Sequence, residues 1–167
     1  MKRNYAVVSI LVALAAVAAA AQSGGQQSFE MMKALTGNWE GKGSEGGPVR
    51  VNYRLTAGGS ALMAEIQSDM KGKSEDMISM IHMDGDRLLL THYCAAGNQP
   101  RMVASVSPDG KAVTFKFLDS TNLANPDQGH MDHVIFNFID ANHHTEEWHF
   151  QAGGKEMVER FDLQKKS

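Results

Sequence analysis

The sequence predicts an all-β protein, an up-and-down antiparallel barrel of about ten strands preceded by a short N-terminal helix. Three observations carry this. From Trp39 to the C-terminus apolar and polar residues alternate with period two, the pattern of a half-buried strand. Turn-forming residues interrupt the alternation at regular intervals. No second helical pattern intervenes, so consecutive strands pair as hairpins, and the two outermost edges are best satisfied by closing on each other. A two-sheet sandwich is the alternative that the same alternation allows.

The chain has 167 residues, 43% hydrophobic and 21% charged, enough for one ordinary domain and without the bias of disordered or fibrous chains. Sixteen Lys and Arg face nineteen Asp and Glu with no basic block, which makes nucleic acid a poor partner. Lys2 and Arg3 precede a nearly unbroken apolar run over residues 5–17, and alanines occupy 18–21. That predicts a signal peptide over residues 1–21, cleaved before Gln22, and a periplasmic or secreted protein. The run is shorter than the roughly 20 residues that span a bilayer, so no membrane anchor is expected after cleavage. Cleavage removes two cations and moves the formal charge from −3 to −5. Cys94 is the single cysteine, so no disulfide forms within the expected monomer and stability must come from the core.

Residues 22–27 read as a flexible lead-in to a barrel domain over 28–167. Residues 28–35 read as the helix, with Ser28 as N-cap, Phe29, Met32 and Leu35 at helical spacing, and Gly37 as C-cap. Further on, Val49, Val51, Tyr53 and Leu55 alternate with Arg50, Asn52, Arg54 and Thr56. Turns are expected at Gly58-Gly59, 70–74, Asp84-Gly85, Gly97-Asn98, 108–110, 119–128, Ala141-Asn142 and Gly153-Gly154.

Register then assigns faces. A turn at Asp84-Gly85 sets Met77, Ser79 and Ile81 on one face with Leu88, Leu90, His92 and Cys94; Ile78, Met80, His82, Leu89, Thr91 and Tyr93 take the other. Both faces carry apolar residues, so alternation leaves open which one points inward. The following turn is expected to bring Gln99 and Arg101 to the His92 side. A turn at Gly153-Gly154 aligns Glu146, Trp148 and Phe150 with Met157, Glu159 and Phe161, and sets Glu147 opposite Arg160.

His92, Cys94, Gln99 and Arg101 would thus form a patch with an imidazole, a thiol, an amide and a fixed cation, suited to a polar or anionic headgroup. Side chains two apart on a strand lie roughly 7 Å from each other, too far for a Cys-His nucleophile. No nucleophile elbow, phosphate loop or dinucleotide fingerprint occurs, and the chain does not read as an enzyme. His143, His144, Glu146, Glu147 and His149 have the composition of a metal site, but strand alternation divides them between faces, as it does Met77, Met80, His82 and Met83. His130 and His133 likewise fall on opposite faces of an uninterrupted strand.

The strongest local pattern is Gly37-Asn38-Trp39-Glu40-Gly41-Lys42-Gly43, after a helix and opening the first strand. A helix, a Gly-x-Trp strand and a row of hairpins resemble the lipocalin-like, or calycin, superfamily. The extended form Gly-x-Trp-x-Gly-x-Gly resembles nitrobindin, a ten-stranded heme-binding barrel. Thr91-His92-Tyr93-Cys94 with the segment 97–102 is similar to uncharacterised exported bacterial proteins with this barrel pattern. The resemblance covers most of residues 29–164. It implies a barrel with a small-molecule cavity and Trp39 packed across the closed end, where Arg160 would stack on it. The heme-binding histidine that nitrobindin carries near its C-terminus has no counterpart, because no histidine follows His149. Heme, held by His82, His92 or His149 instead, or a metal, is the alternative to a carrier without cofactor. The expected ligand is a small apolar or amphipathic molecule, with Trp39, Tyr53, Trp148, Phe161 and the methionines as walls. His92, Arg101 and Glu146 would orient it, beside Cys94 and Gln99. An inward Glu146 needs a partner.

Overall fold

The computed structural model describes residues 24–70, 72–125 and 127–167. The segment 1–21, expected from the sequence to be a signal peptide, lies outside them. Ten strands follow one helix: α1 (Gly24–Lys33), β1 (Gly37–Gly43), β2 (Pro48–Thr56), β3 (Ala61–Met70), β4 (Lys73–Asp84), β5 (Arg87–Tyr93), β6 (Gln99–Val106), β7 (Ala112–Thr121), β8 (His130–Asp140), β9 (His143–Ala152) and β10 (Lys155–Lys166). Each strand pairs with its sequence neighbour, and β1 pairs with β10, so the sheet is a closed antiparallel barrel and not a sandwich.

Closure is where the glycine-rich opening strand acts. Trp39 pairs with Val51 on one side and Lys165 on the other. A Cβ on Gly41 would lie 1.7 Å from the Asp162 carbonyl oxygen, so only glycine lets β1 approach β10 at that point.

The helix starts earlier than its serine suggests. Gly24 to Gln27, expected as a flexible lead-in, form its first turn, and Ser28 Oγ donates to the Gly24 carbonyl 2.8 Å away instead of capping. Gly25 packs against the Asp86 carbonyl, where a Cβ would come within 2.3 Å, so α1 is seated on the β4–β5 turn. Phe29, Met32 and Leu35 are buried and close this end of the barrel. Trp39 is buried beside them; its Nε1–H donates to the Leu35 carbonyl at 2.6 Å, and His144 meets its ring edge-on at 4.3 Å between centroids. The cation over Trp39 is Lys165, with Nζ 5.4 Å from the ring centroid. Arg160, expected there, reaches outward to Glu147 at 3.1 Å, the cross-strand pair that the Gly153-Gly154 turn implied.

Two turns differ in detail, with unequal consequences. Asp84 pairs with Arg87, so the β4–β5 turn is Gly85-Asp86, one residue later than expected. Each pair shifts by two residues, and the faces survive. Between β5 and β6 three residues, 95–97, form the turn: Cys94 and Asn98 are joined by N–H···O at 3.2 Å, and Gly97 sits at φ +83°. An odd loop reverses parity. Thr91 pairs with Arg101 and Leu90 with Met102, so Met102 turns inward while Gln99 and Arg101 leave the His92 side. In addition, β7 continues to Thr121, shortening the expected 119–128 connection.

Replacing Trp39 with alanine removes the largest side chain at the closed end and is expected to destabilise the fold by about 3 to 5 kcal/mol. Urea denaturation followed by circular dichroism checks it; an unchanged midpoint would remove Trp39 from the plug.

Candidate functional site

The barrel interior is filled at the helix end and open at the other. The open end holds a cavity of about 440 Å³, bordered by Glu45, Lys73, Glu75, Met77, 94–96, Met131, Trp148, Phe150 and 157–159. That volume lies within the range of roughly 300 to 1,000 Å³ typical of small-molecule sites, and the walls are mainly apolar. A broader depression of about 620 Å³ lies on the outer wall, over Lys42, Ser44, Glu147, Arg160 and Asp162. Charged and polar side chains line most of it, with Gly41, Gly43 and Phe161 between them, and Glu147 and Arg160 are already paired to each other.

Inward alternation on β4, β5 and β9 positions the cavity floor. Trp148 borders the cavity and is itself buried. Its Nε1–H donates to Glu146 Oε2 at 2.8 Å, while Tyr53 O–H donates to Glu146 Oε1 at 2.5 Å and His144 Nε2 lies 3.1 Å from the same oxygen. All four residues are buried. Glu146 thus has the partners that its burial requires, drawn from β2 and from two neighbours on its own strand. Burial, reinforced by the charge of Glu146 and the hydrogen bond to it, raises the Tyr53 hydroxyl well above its usual range. Tyr53 therefore stays a donor.

His92 points inward, which settles the face that alternation left open: Met77, Ser79, Ile81, Leu88, Leu90 and His92 are all buried, whereas Ile78 and Tyr93 are exposed on the outer wall. The His92 ring lies against Trp148, 4.8 Å between centroids, and its Nδ1 is 3.0 Å from Ser79 Oγ. Nε2 is buried without a partner. Desolvation lowers the imidazole pKa from 6.5 to about 4, so His92 is neutral at physiological pH. Cys94, two residues on, is half-buried at the cavity wall; burial pushes its thiol up, and the charge of Glu75 adds to that.

Of the residues expected in the site, Trp148 and Cys94 border the cavity. Glu146, Tyr53 and His92 lie in the buried layer beneath or beside Trp148, and Trp39 belongs to the closed end. Phe161 is buried opposite Glu146 and does not border the cavity. Gln99 and Arg101 are not part of this constellation. Arg101 is exposed, with its Nε donating to Asp119 Oδ1 at 2.6 Å, and Gln99 accepts from Thr121 Oγ1 at 2.8 Å. The sequence reading did not place Phe150, Ser79 or His144 in the site, nor say which methionines wall it. His144 and Phe150 share the parity of Glu146 and Trp148, and Ser79 that of His92, signals legible in the sequence; Met131 needed the pairing with Phe150.

The metal-like sets divide as strand alternation requires: His144 and Glu146 are inside, Glu147 and His149 outside. Met77 is inside and Met80 lies across the sheet from Met63. For heme, His82 and His149 sit on the outer wall, and His92 is fully buried behind Trp148 and does not border the cavity. Among the described residues no imidazole nitrogen is therefore presented to the cavity as an axial ligand, and the residues present do not fit a heme.

The fold and cavity define a closed ten-stranded barrel with one open end. Among solved structures it is similar to the crystal structure of Rv2717c from M. tuberculosis, with a TM-score of 0.60 and 16% identity over 84% of this chain and 98% of that one. At this identity the likeness concerns the fold alone. No protein-family profile matches the chain. No curated protein matches it by sequence.

Two measurements probe the buried layer. Glu146→Ala strands Tyr53, Trp148 and His144 and should cost at least about 3 kcal/mol, while Glu146→Gln, whose amide meets an N–H or O–H donor, should cost about 1 to 3 kcal/mol. Equal stability of both variants and the parent in urea titrations would contradict the network. For His92 the folded pKa lies below the unfolded one. Between about pH 6.5 and pH 4 the unfolded chain binds a proton that the folded one refuses, so stability is lost progressively as the pH is lowered through that window. The full effect is about 3 kcal/mol, and His92→Gln should remove it from the pH dependence.

Proposed function

We propose that the protein is an exported carrier that binds a small apolar or amphipathic molecule in the open end of its barrel. The observation that carries this reading is the cavity of about 440 Å³ over Trp148, walled by Met77, Met131, Phe150 and Met157. Methionines adapt their shape to irregular apolar ligands, and Trp148 offers a rigid face. Trp148 is held from below by Glu146, so the floor is preorganised. The neutral His92 and the Tyr53–Glu146 pair support the floor from beneath, and Cys94 forms part of the wall. In this reading Gln99 and Arg101 take no part.

The rim favours one kind of head group. Among the described residues Glu75 and Glu159 border the cavity with one cation, Lys73, whose Nζ is 3.4 Å from Glu75. An apolar body with a neutral or cationic head suits this rim better than a fatty acid carboxylate. The signal-peptide pattern over residues 1–21 supports action outside the cytoplasm, and the excess of acidic over basic residues favours a partner other than nucleic acid.

The test uses dyes of one size and different charge. Aminoanthracene, which is neutral, is expected to bind with one site and to quench Trp148; anionic anilinonaphthalene sulfonate is expected to bind more weakly. Cys94 locates the site. At ten times the dissociation constant, bound aminoanthracene should slow maleimide labelling of Cys94 by roughly tenfold, following occupancy. Absence of saturable binding by native mass and fluorescence, or unaltered labelling, would sink the carrier reading.

A further inference from the structure

We propose that His133, His149 and Glu156 form a divalent metal site on the outer wall of the barrel, of the two-nitrogen, one-carboxylate class that takes Zn²⁺. It lies on the opposite side of the sheet from the cavity and does not depend on the carrier reading.

The site arises from an irregularity. Met131 pairs with Phe150, but His133 pairs with His149, so Asp132 is an extra residue in β8. The bulge re-aims the strand and sets His133 directly across from His149, whose neighbour Trp148 points inward. The two rings stack with centroids 3.7 Å apart and planes at 18°. Glu156, on β10, completes the group, and one donor atom from each residue falls within 4.8 Å of the others.

The hydrogen bonds around the rings are those of a prepared ligand set. Asp132 Oδ2 lies 2.8 Å from His133 Nδ1, and Glu156 Oε1 lies 3.0 Å from His149 Nδ1. On His133 the Asp132 carboxylate at Nδ1 fixes the ring and raises the basicity of Nε2, as the usual outer partner of a metal-bound histidine does. On His149 it is Nδ1, already facing Glu156, that would share the ion with that carboxylate. The three side chains are accessible, with 22% of His133, 14% of His149 and 44% of Glu156 exposed. Lys116, the β7 neighbour of His133, is exposed and is the nearest opposing cation in the register.

Zn–N and Zn–O bonds of roughly 2.0 to 2.2 Å put tetrahedral ligands about 3.3 to 3.5 Å from one another, so the most distant donors must draw in by up to about 1.5 Å. Rotation about the side-chain torsions of His133 and Glu156 supplies this, and the ion takes the place of the hydrogen bond between His149 Nδ1 and Glu156 Oε1. Water fills the fourth position, as in open zinc sites.

Untagged full-length protein, titrated with Zn²⁺ against a chromogenic chelator, is expected to bind one equivalent per chain. His133→Asn and Glu156→Gln should each weaken binding at least about tenfold, and Asp132→Asn by roughly 10- to 100-fold as an outer partner. His143→Asn, on an exposed pair with Asp162, should leave it unchanged. Circular dichroism of each variant establishes folding; if His133→Asn does not fold, Glu156→Gln, at a half-exposed position, decides alone. No saturable Zn²⁺ binding, parental affinity in Glu156→Gln, or loss of binding in His143→Asn would overturn the proposal.

Discussion

The seam between the first and last strands is the constraint on which the rest depends. An antiparallel meander of ten strands leaves two unpaired edges, and here they satisfy each other from Asn38–Lys166 to Gly43–Phe161. The seam tolerates little bulk: Gly41 gives way to the Asp162 carbonyl, and a Cβ on Gly43 would lie 2.4 Å from a carboxylate oxygen of Glu159. At Gly41 the glycine that reads as part of a motif in the sequence is thus a steric requirement of closure, whereas at Gly43 the carboxylate could move aside. Trp39, two residues before Gly41, turns the same strand into part of the plug by bonding to Leu35 just beyond the end of α1.

Closure creates an interior that is divided in two. The helix end is packed by Phe29, Met32, Leu35 and Trp39, and the other end remains open above Trp148. A buried polar layer lies between them. Glu146 gathers three partners: His144 meets the rings of both Trp39 and Tyr53, and so ties the network to the packed half, while Trp148 forms the floor. Such a network orients aromatic rings more firmly than dispersion alone, since each ring has a directional bond to honour. The cavity therefore has a fixed base with a flexible methionine wall, an arrangement suited to ligands of variable shape.

Much of this was legible in sequence. Period-two alternation and the turn residues defined ten strands, and the Gly153-Gly154 turn placed Glu146, Trp148 and Phe161 on one face as found. The shared face of Ser79, Ile81, Leu90 and His92 also held, because a turn displaced by one residue shifts the pairs by two and preserves parity. What failed was a loop-length assignment. Gly97-Asn98 is a plausible turn by composition, but Ala95 to Gly97 form an odd loop, and one residue of difference moved Gln99 and Arg101 to the other side of the sheet. The bulge at Asp132 acted similarly on His133, bringing it to His149 where uninterrupted alternation gave no such pair.

By itself, then, the sequence determined the fold class, the number of strands, and the parity of every stretch joined by an even turn. Those properties are local: they depend on hydrophobic period and on the backbone preferences of a few residues. Tertiary structure decided which face of the 77–94 hairpin is inside, which cation covers Trp39, and how Glu146 is satisfied. Each of these joins residues from strands distant in sequence, as Tyr53 and Glu146 are, and depends on how the sheet curves as it closes. Curvature is a property of the whole ring, set by its bulges, its odd loops and the close approach at Gly41, and no single stretch of sequence carries it.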